Sequence, residues 1–449
     1  MKQLSIAILG AGAAGMYCGS CLRDNTLARA LIRAGHKAVL VPLYTPIRTD
    51  EQNAAIGKVF YGGVNSWLQY AMPLFRHTPR FLDWLFDRPW LLKLAGTYGA
   101  QTPPAKLGPF VLSILEGEHG PQLKELNRLV RFLRDQIAPQ IVTLPNLMFM
   151  GVARALRDEL GCRVICELTG EDIFLDAMAE PYRTRARDAI RARVDGVAGF
   201  VATSGYYAGR MADYLEVPAD RIDVVYPGIS AEHWQGGGAS GNGRGPTVGF
   251  LARICPEKGL HRLIEAMAAL RRLPGMGNVT VKAAGYLGPG HRNYYEQVLR
   301  QIADAGLATA FTYAGELDFA GKLAFLDSID VFCVPTDYAE AKGIYVLEAL
   351  ARGVPAVQPA HGSFPELIEK TGGGLLVRPG DAQAMATAIA ELLSDPARRM
   401  ALGAAGKQAV ITHFTDDAMA QRMLGVFARA MAGKVGSAGA SLTPQQPVR

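Results

Sequence analysis

Several features that would place a chain in a special class are missing from this sequence. No stretch of its 449 residues is long and apolar enough to span a bilayer, and no long basic run accompanies the net charge of +6. The short apolar run at the N-terminus leads directly into a glycine loop, which favours a first β-strand over a signal peptide. We therefore expect a cytoplasmic protein that binds acidic small molecules or an anionic membrane surface, and no nucleic acid.

The six cysteines are scattered, and neither paired histidines nor a second cysteine pair indicates a zinc site. Cys162, Cys166 and Cys333 lie in or beside apolar runs, as buried thiols of a reducing compartment do. Cys18 and Cys21 have the spacing of a redox motif, but a structural role is favoured. We expect no metal site and no cofactor.

Strand-like and helix-like patterns alternate in two successive series, which predicts an α/β protein with two doubly wound, Rossmann-like parallel sheets facing across a cleft. The glycine-rich stretch Gly236–Gly245 has no apolar periodicity and marks the boundary between them. The predicted division is a first domain at 1–229, a linker at 230–246, a second domain at 247–415, a last helix at 416–432 and a disordered tail at 433–449.

A glycine loop follows the first predicted strand, with the pattern G-x-G-x-x-G at Gly10, Gly12 and Gly15. A dinucleotide site needs an acidic residue at the end of the second strand, and the second strand candidate, Ala38–Tyr44, ends without one. The loop is therefore favoured as a phosphate or substrate loop at a helix N-terminus. An NAD(P)-dependent oxidoreductase that uses this loop remains the alternative.

Two further segments of the first domain have weaker signals. Asp50 and Glu51 have the character of a cleft-facing loop. Residues 67–98 interleave aromatic and basic side chains, which is typical either of short helices packing on the domain or of an amphipathic lid touching acceptor or membrane. Packing is favoured, and peripheral membrane contact stays open.

The apolar run Phe110–Leu115 is a further strand candidate, followed by His119 on a loop. A lone loop histidine is most often solvated, but beside Glu116 and Glu118 it is a candidate for acceptor binding. Another strand candidate, Arg163–Leu168, ends in Thr169-Gly-Glu-Asp172, at the edge of a parallel sheet where ligands bind. Asp172 is equally well explained as an acceptor-side residue or as a structural cap.

The most informative stretch runs from Asp337 to Pro355. A buried strand precedes it, Glu340 and Gly343 lie in a loop, and a helix-like run with Glu348 follows. A strand, a loop and a helix start in this order offer backbone N–H groups to an anion. Carboxylates beside such a site would repel phosphate, so they suit hydroxyl groups. The combination predicts a ligand that carries both phosphate and sugar.

These residues resemble the E-x7-E motif of the retaining glycosyltransferases of family 4, which have the GT-B fold. The resemblance is supported by Gly249-Phe-Leu-Ala-Arg253 with Lys258-Gly259 upstream, and by Gly362-Ser-Phe-Pro-Glu366 downstream. It implies a nucleotide-diphosphate sugar as donor and an acceptor that is a glycan, a lipid or a small metabolite. It also implies that the last helix returns to the first domain, which binds the acceptor.

The resemblance further implies roles for individual residues. Arg253 and Lys258 bind the diphosphate, helped by the backbone amides of Gly343, Ile344 and Tyr345. Glu340 contacts the transferred sugar, and Glu348 contacts the nucleotide ribose. No D-x-D sequence is present to hold a divalent metal, so fixed cations and helix N-termini are expected to stabilise the leaving group. Glu340, Arg253 and Lys258 are thus the candidate catalytic residues.

The sequence departs from the family pattern at two positions. Thr169 stands where many members carry a histidine, and Lys342 replaces the phenylalanine common in E-x-F-G. Lys342 is a candidate to alter the sugar pocket or to add a phosphate contact. These departures leave a sugar-nucleotide-binding protein without transferase activity as a second alternative.

Overall fold

The computed structural model of the protein describes residues 2–12, 16–76, 104–234 and 245–433. Gly15, most of the aromatic segment, most of the glycine-rich connection and the tail lie outside these ranges, so the predictions made for them are not addressed. Both predicted sheets and the segments that face each other between them lie within the described ranges.

The first half of the chain forms a six-stranded sheet in which every pairing is parallel. Its strands are β1 (Ser5–Gly10), β2 (Lys37–Pro42), β3 (Ile141–Leu144), β4 (Arg163–Leu168), β5 (Gly199–Ala202) and β6 (Ile222–Val224). They lie in the order β2-β1-β3-β4-β5-β6. Helices cover both faces, and for this reason the strands are almost continuously apolar.

The helices that the described residues of this half form are α1 (Gly19–Arg33), α2 (Gly63–Ala71), α3 (Pro104–Leu115), α4 (Leu123–Phe132), α5 (Ala153–Leu160), α6 (Asp172–Asp176), α7 (Tyr182–Arg191) and α8 (Gly205–Leu215). Short 3₁₀ turns precede two of them, at Gly117–His119 and Leu147–Val152. Among the described residues, no helix is long and apolar enough to cross a membrane.

The prediction of a strand at Phe110–Leu115 is wrong, because these residues form the second half of α3. A short apolar run fits a buried strand and a buried helix equally well, and periodicity alone does not separate them. Here, tertiary packing determines that the run is helical. Gly108 of α3 approaches α7 so closely that a Cβ atom would lie 2.4 Å from the Cβ of Tyr182.

The second half repeats the architecture with another six-stranded parallel sheet. Its strands are β7 (Thr247–Leu251), β8 (Thr280–Ala284), β9 (Phe311–Tyr313), β10 (Val331–Phe332), β11 (Ala356–Pro359) and β12 (Gly374–Val377), in the order β12-β11-β10-β7-β8-β9. The helices are α9 (Leu260–Leu270), α10 (Arg292–Asp304), α11 (Phe319–Asp327), α12 (Ile344–Ala351), α13 (Phe364–Thr371), α14 (Ala382–Ser394) and α15 (Pro396–His413).

The last described helix, α16 (Asp416–Met431), packs against the first sheet rather than the second. Its Met419, Met423 and Phe427 share an apolar cluster with Ile6 of β1 and Leu31 of α1. The chain crosses between the halves at Gly228, where a Cβ atom would lie 2.3 Å from the carbonyl oxygen of Thr415. The two crossings lie side by side, so the domains can move about one narrow region.

Candidate active site

The loop from Asp337 to Gly343, called the 337–343 loop below, follows β10 and leads into α12. Gly343 has a φ of 67°, and a Cβ atom there would lie 2.6 Å from Cδ1 of Leu367. Only glycine turns the chain here without strain. α12 therefore begins at the carboxyl edge of the second sheet. Its Val346 and Leu347 N–H groups donate to the Gly343 carbonyl oxygen, while the N–H groups of Ile344 and Tyr345 have no partner within the helix.

Lys258 and Glu340 form a buried ion pair at this edge. The Nζ atom of Lys258 donates to Oε2 of Glu340 at 2.5 Å, and the two side chains are 10% and 6% exposed. Lys258 is brought there by the 3₁₀ turn Pro256–Lys258. The turn ends at Gly259, where a Cβ atom would lie 1.8 Å from the carbonyl oxygen of Pro335, so this close approach requires glycine.

Two tyrosines complete the surroundings of Glu340. The hydroxyl groups of Tyr338 and Tyr345 donate to Oε2 of Glu340 at 2.7 and 2.9 Å. Burial by itself raises the pKa of the Glu340 carboxyl group, but the charge and hydrogen bond of Lys258, together with the Tyr338 hydroxyl, hold it well below its ordinary value. Glu340 is therefore a carboxylate at neutral pH and can accept hydrogen bonds from sugar hydroxyls.

Arg253 lies just past the end of β7 and is exposed. Among the ion pairs of the described residues, none involves its guanidinium group. The planar guanidinium group can therefore bind phosphate oxygens through two parallel hydrogen bonds. Lys258 differs from Arg253, because its ammonium group is already paired with the carboxylate of Glu340.

Glu348, one turn further into α12, is buried beside a second lysine. Nζ of Lys322 on α11 donates to Oε1 of Glu348 at 2.7 Å and to Oδ2 of Asp50 at 2.5 Å. Burial raises the pKa of Glu348 above its ordinary value, against the opposing charge of Lys322. Asp50 belongs to the first domain, so this site already joins the two halves of the chain.

The 337–343 loop is also bonded to the first domain. Nζ of Lys342 donates to Oγ of Ser20 at 2.7 Å and to the carbonyl oxygen of Thr169 at 2.5 Å. The carbonyl oxygen of Ala341 accepts from the hydroxyl groups of Thr203 and Ser204 at 3.0 and 2.9 Å. The ammonium group of Lys342 thus lies at the carboxyl end of β4 and joins the two domains, and the roles suggested for it in a sugar pocket or at a phosphate stay predictions.

The candidates in the first domain are not gathered around one point. Gly12 has a φ of 75° and lies against Thr45, where a Cβ atom would be 2.4 Å from the carbonyl oxygen. Asp172 is buried and accepts from the Tyr207 hydroxyl at 2.8 Å and from Nε of Arg210 at 2.7 Å. These contacts are those of a structural residue. Of the two interpretations of Asp172, an acceptor-side residue or a structural residue, these contacts favour the structural one.

His119 lies in the turn before α4 with a side chain that is 76% exposed. It borders an open cavity of about 950 Å³, whose described lining residues all belong to the first domain. The structure therefore does not bring His119 to the 337–343 loop. Its role in acceptor binding stays a prediction that concerns this separate cavity.

Sequence reasoning assigned no role to three residues of this region. Tyr338 is two positions from Glu340 and could have been noticed for that reason. Lys322 gave no signal, because its partners Asp50 and Glu348 lie in other elements. Glu366 was noticed only as part of a motif, and the structure places its carboxylate at the start of α8, where it accepts from the backbone N–H of Gly205 at 2.8 Å.

Comparisons with known proteins agree with this architecture. Residues 240–409 match the sequence model of the family described as glycosyl transferases group 1. A GDP-mannose-dependent alpha-(1-6)-phosphatidylinositol monomannoside mannosyltransferase of Mycobacterium tuberculosis (strain CDC 1551 / Oshkosh) is 30% identical over 53% of this chain, and the match spans 63% of that relative's length. The lipopolysaccharide core biosynthesis mannosyltransferase LpsB of Rhizobium meliloti (strain 1021) is 30% identical over 57% of this chain and 71% of its own.

Solved structures share the fold over nearly the whole chain. The crystal structure of Anabaena Alr3699/HepE in complex with UDP and glucose has a TM-score of 0.68 at 17% identity, covering 95% of this chain and 100% of that one. Sucrose-phosphate synthase from Thermosynechococcus elongatus has a TM-score of 0.67 at 19% identity, covering 96% and 99%. With two parallel-sheet domains of the GT-B type and a match to LpsB that extends over most of that relative, the chain belongs to the glycosyl transferases group 1 family.

Proposed function

We propose that the protein transfers a hexose from a nucleotide-diphosphate sugar to an acceptor, with retention of configuration and without a metal ion. The observation that carries the proposal is the pair of cations at the carboxyl edge of the second sheet. Arg253 offers an exposed guanidinium group that forms no ion pair among the described residues, and Lys258 lies in the 3₁₀ turn that follows it in the chain. Together with the first N–H groups of α12, they form a site for a diphosphate.

The donor sugar is placed next to Glu340 in this proposal. On donor binding, the Lys258 ammonium is shared between Glu340 and the phosphate, so the carboxylate and the leaving group are fixed relative to each other. The C1–phosphate bond breaks while the acceptor oxygen bonds to the same face of C1. The acceptor proton passes to the leaving phosphate oxygen, so the protein supplies position and charge rather than a base.

Metal independence rests on these fixed cations. Within the described ranges, no group of three or more histidine, cysteine, aspartate or glutamate side chains is arranged to hold a metal ion. The names of the mycobacterial relatives make GDP-mannose the first donor to test. The acceptor is a glycan, a lipid or a small metabolite that binds to the first domain.

An exposed apolar surface supports contact of the first domain with an acceptor or a membrane. In the described part of the aromatic segment, the side chains of Trp67, Met72 and Leu74 are 54%, 45% and 73% exposed. Asn65, Ser66 and Gln69 of α2 are instead buried. Trp67, Met72 and Leu74 therefore face outward, as the lid interpretation expects, whereas the ring of Tyr70 packs against Phe110 of α3, as the packing interpretation expects.

The test begins with a thermal-shift screen against GDP, UDP, ADP, dTDP, their sugars and NAD(P), since a ligand that binds the folded state raises its Tm. We expect one diphosphate and its sugars to bind, and Arg253→Ala to weaken that binding by roughly tenfold to a hundredfold. Arg300→Ala, at an exposed position of α10, is the matched control. Binding of NAD(P) alone would instead support the oxidoreductase alternative.

Turnover is then measured as release of the sugar to water from the donor that binds. We expect release to continue in excess chelator, and NMR to show the donor's own anomer as the first product. A strict metal requirement or an inverted first product would contradict those parts of the proposal. Donor binding without any turnover, in the presence of lipid and glycan acceptors, would favour the non-catalytic alternative.

A further inference from the structure

Three charged side chains from both domains meet at one buried point beside α12. Nζ of Lys322 lies 2.5 Å from Oδ2 of Asp50 and 2.7 Å from Oε1 of Glu348. The three side chains are 11%, 6% and 10% exposed, in the order Lys322, Asp50 and Glu348. Glu348 and Lys322 belong to the second domain, and Asp50 comes from the segment that follows β2 in the first.

The segment that carries Asp50 is held in place on both sides. Arg48 forms an ion pair with Glu316 of the second domain at 3.0 Å. Glu51 forms one with Arg29 of α1 at 2.6 Å. The carboxylate of Asp50 is therefore fixed between the domains by its neighbours in the chain and is not a mobile surface group.

The charges of Lys322, Asp50 and Glu348, called the trio below, determine which ligand groups can bind beside them. Two carboxylates and one ammonium group carry a net charge of −1, which repels phosphate and suits neutral hydroxyl groups. A pair of adjacent hydroxyls can donate to both carboxylates and accept from the ammonium group. Each such bond involves an ionised partner, so each is stronger than a bond between neutral groups.

The space beside the trio fits a hydroxyl group. All three side chains border a cavity of about 30 Å³, a volume that holds about one water molecule or a hydroxyl group but no sugar ring. The Lys322 ammonium also lies 5.7 Å from the ring centroid of Trp234 and 5.9 Å from that of Phe319, and both rings line the same cavity. These rings restrict Lys322, so its remaining hydrogen-bonding capacity has a fixed direction.

We propose that Asp50, together with Lys322, completes the ribose end of the donor site from the first domain and makes the protein selective for ribonucleotide donors. The inference rests on the proposed function, in which Glu348 binds the ribose. Its new element is that the first domain takes part in donor recognition. The ribose hydroxyls would then form all of their hydrogen bonds only when the two domains are closed on the nucleotide.

The test compares how tightly variants bind nucleotides that differ by one hydroxyl group. Calorimetry gives the Kd of GDP, 2′-deoxy-GDP and 3′-deoxy-GDP, or of the UDP series if the wild type binds UDP. The variants are Asp50→Asn and Asp50→Glu. Asp213→Asn, at an exposed position of α8 in the same domain, is the matched control.

We expect the wild type and Asp213→Asn to favour at least one ribose hydroxyl by roughly tenfold to a hundredfold, as one bond to a charged group provides. In Asp50→Asn we expect that preference to fall to about threefold or less, and in Asp50→Glu to recover in part. The ratio of two Kd values for one variant is insensitive to a general loss of stability. If Asp50→Asn does not fold, Asp50→Glu, which keeps the charge but moves it, should give a preference between those of Asp213→Asn and of a protein without selectivity, and an unchanged preference would count against the inference.

Two results would overturn the inference while leaving the proposed function intact. One is an unchanged preference in Asp50→Asn, with all Kd values altered by a common factor, as a mere interdomain latch would give. The other is a wild type that binds the diphosphate with no preference for either hydroxyl. A wild type that binds none of GDP, UDP, ADP and dTDP would contradict the proposed function itself.

Discussion

Lys258 and Glu340, which the family resemblance assigns to the phosphate and to the sugar of one donor, are bonded to each other at 2.5 Å. They are 82 residues apart in the chain. The pair keeps both charges in a buried place where neither would be stable alone, because an unpaired buried charge is costly. A donor that enters must therefore compete for Lys258, and this competition gives a direct prediction.

In Glu340→Gln, release of sugar from the donor should fall by roughly a hundredfold, since a carboxylate that orients the sugar is lost. The affinity for the free diphosphate should rise severalfold, because Lys258 no longer has a full negative charge beside it. Sugar-release assays and calorimetry measure the two effects. Glu296→Gln, exposed on α10, is the control. Wild-type turnover in Glu340→Gln would remove Glu340 from the catalytic residues.

Replacing Lys342 with phenylalanine, the residue common in the family, should impair turnover. The variant loses the bonds to Ser20 and Thr169, which hold the 337–343 loop against the first domain. A small misplacement of the sugar is enough to slow kcat about tenfold, whereas the diphosphate Kd should change less than about threefold. Lys342→Arg should retain most activity. Equal kcat values for Lys342→Phe and the control Lys37→Met, at an exposed residue of β2, would contradict the prediction.

The buried Asp24 of α1 should make stability depend on pH. Burial raises the pKa of its carboxyl group to about 7, with Arg23 and Lys342 opposing the shift and Cys18 adding to it. An unfolded aspartate has a pKa of about 3.9. Between these values the folded chain keeps a proton that the unfolded chain has released, so the free energy of unfolding falls as pH rises.

Asp24→Asn lacks this titration. Its stability relative to the wild type should therefore increase from about pH 4 to about pH 7, by on the order of 1.4 kcal/mol per pH unit at most, and level off above that. Urea unfolding of both proteins at a series of pH values measures the difference. Titrating groups that do not interact with Asp24 cancel in the comparison. A difference that does not change with pH would show that Asp24 titrates normally in the folded protein.

Glu366 should stabilise the contact between the domains. Its carboxylate accepts from the backbone N–H groups of Gly205 and Tyr206 at 2.8 and 3.2 Å, at the positive end of α8, and also from the Tyr226 hydroxyl. Glu366→Ala should cost roughly 1–2 kcal/mol, and so lower the Tm by a few degrees in a thermal scan. Glu369→Ala, exposed on the same helix, is the control. Equal Tm values for the two variants would contradict this role.

Local features of the sequence predict structure in this protein, whereas contacts between distant residues leave no signal in it. The strand, loop and helix around Glu340 could be predicted, because an apolar run, Gly343 and the pattern of α12 are all local features. The run Phe110–Leu115 was wrongly predicted as a strand, since a short apolar run is ambiguous without its packing partners. His119 was noticed for its acidic neighbours in the sequence, and the structure places it at a separate cavity.

The sequence by itself determined the two series of parallel strands and the residues at which α12 begins. These features follow from side-chain periodicity and from the backbone freedom of glycine, which act within a few residues. Only the tertiary structure decided that Lys258 pairs with Glu340, that Lys322 joins Asp50 to Glu348, and that Lys342 reaches Thr169, 173 residues away. Such partners meet because the carboxyl edges of two sheets face each other, and no local pattern encodes which charged groups that packing brings together.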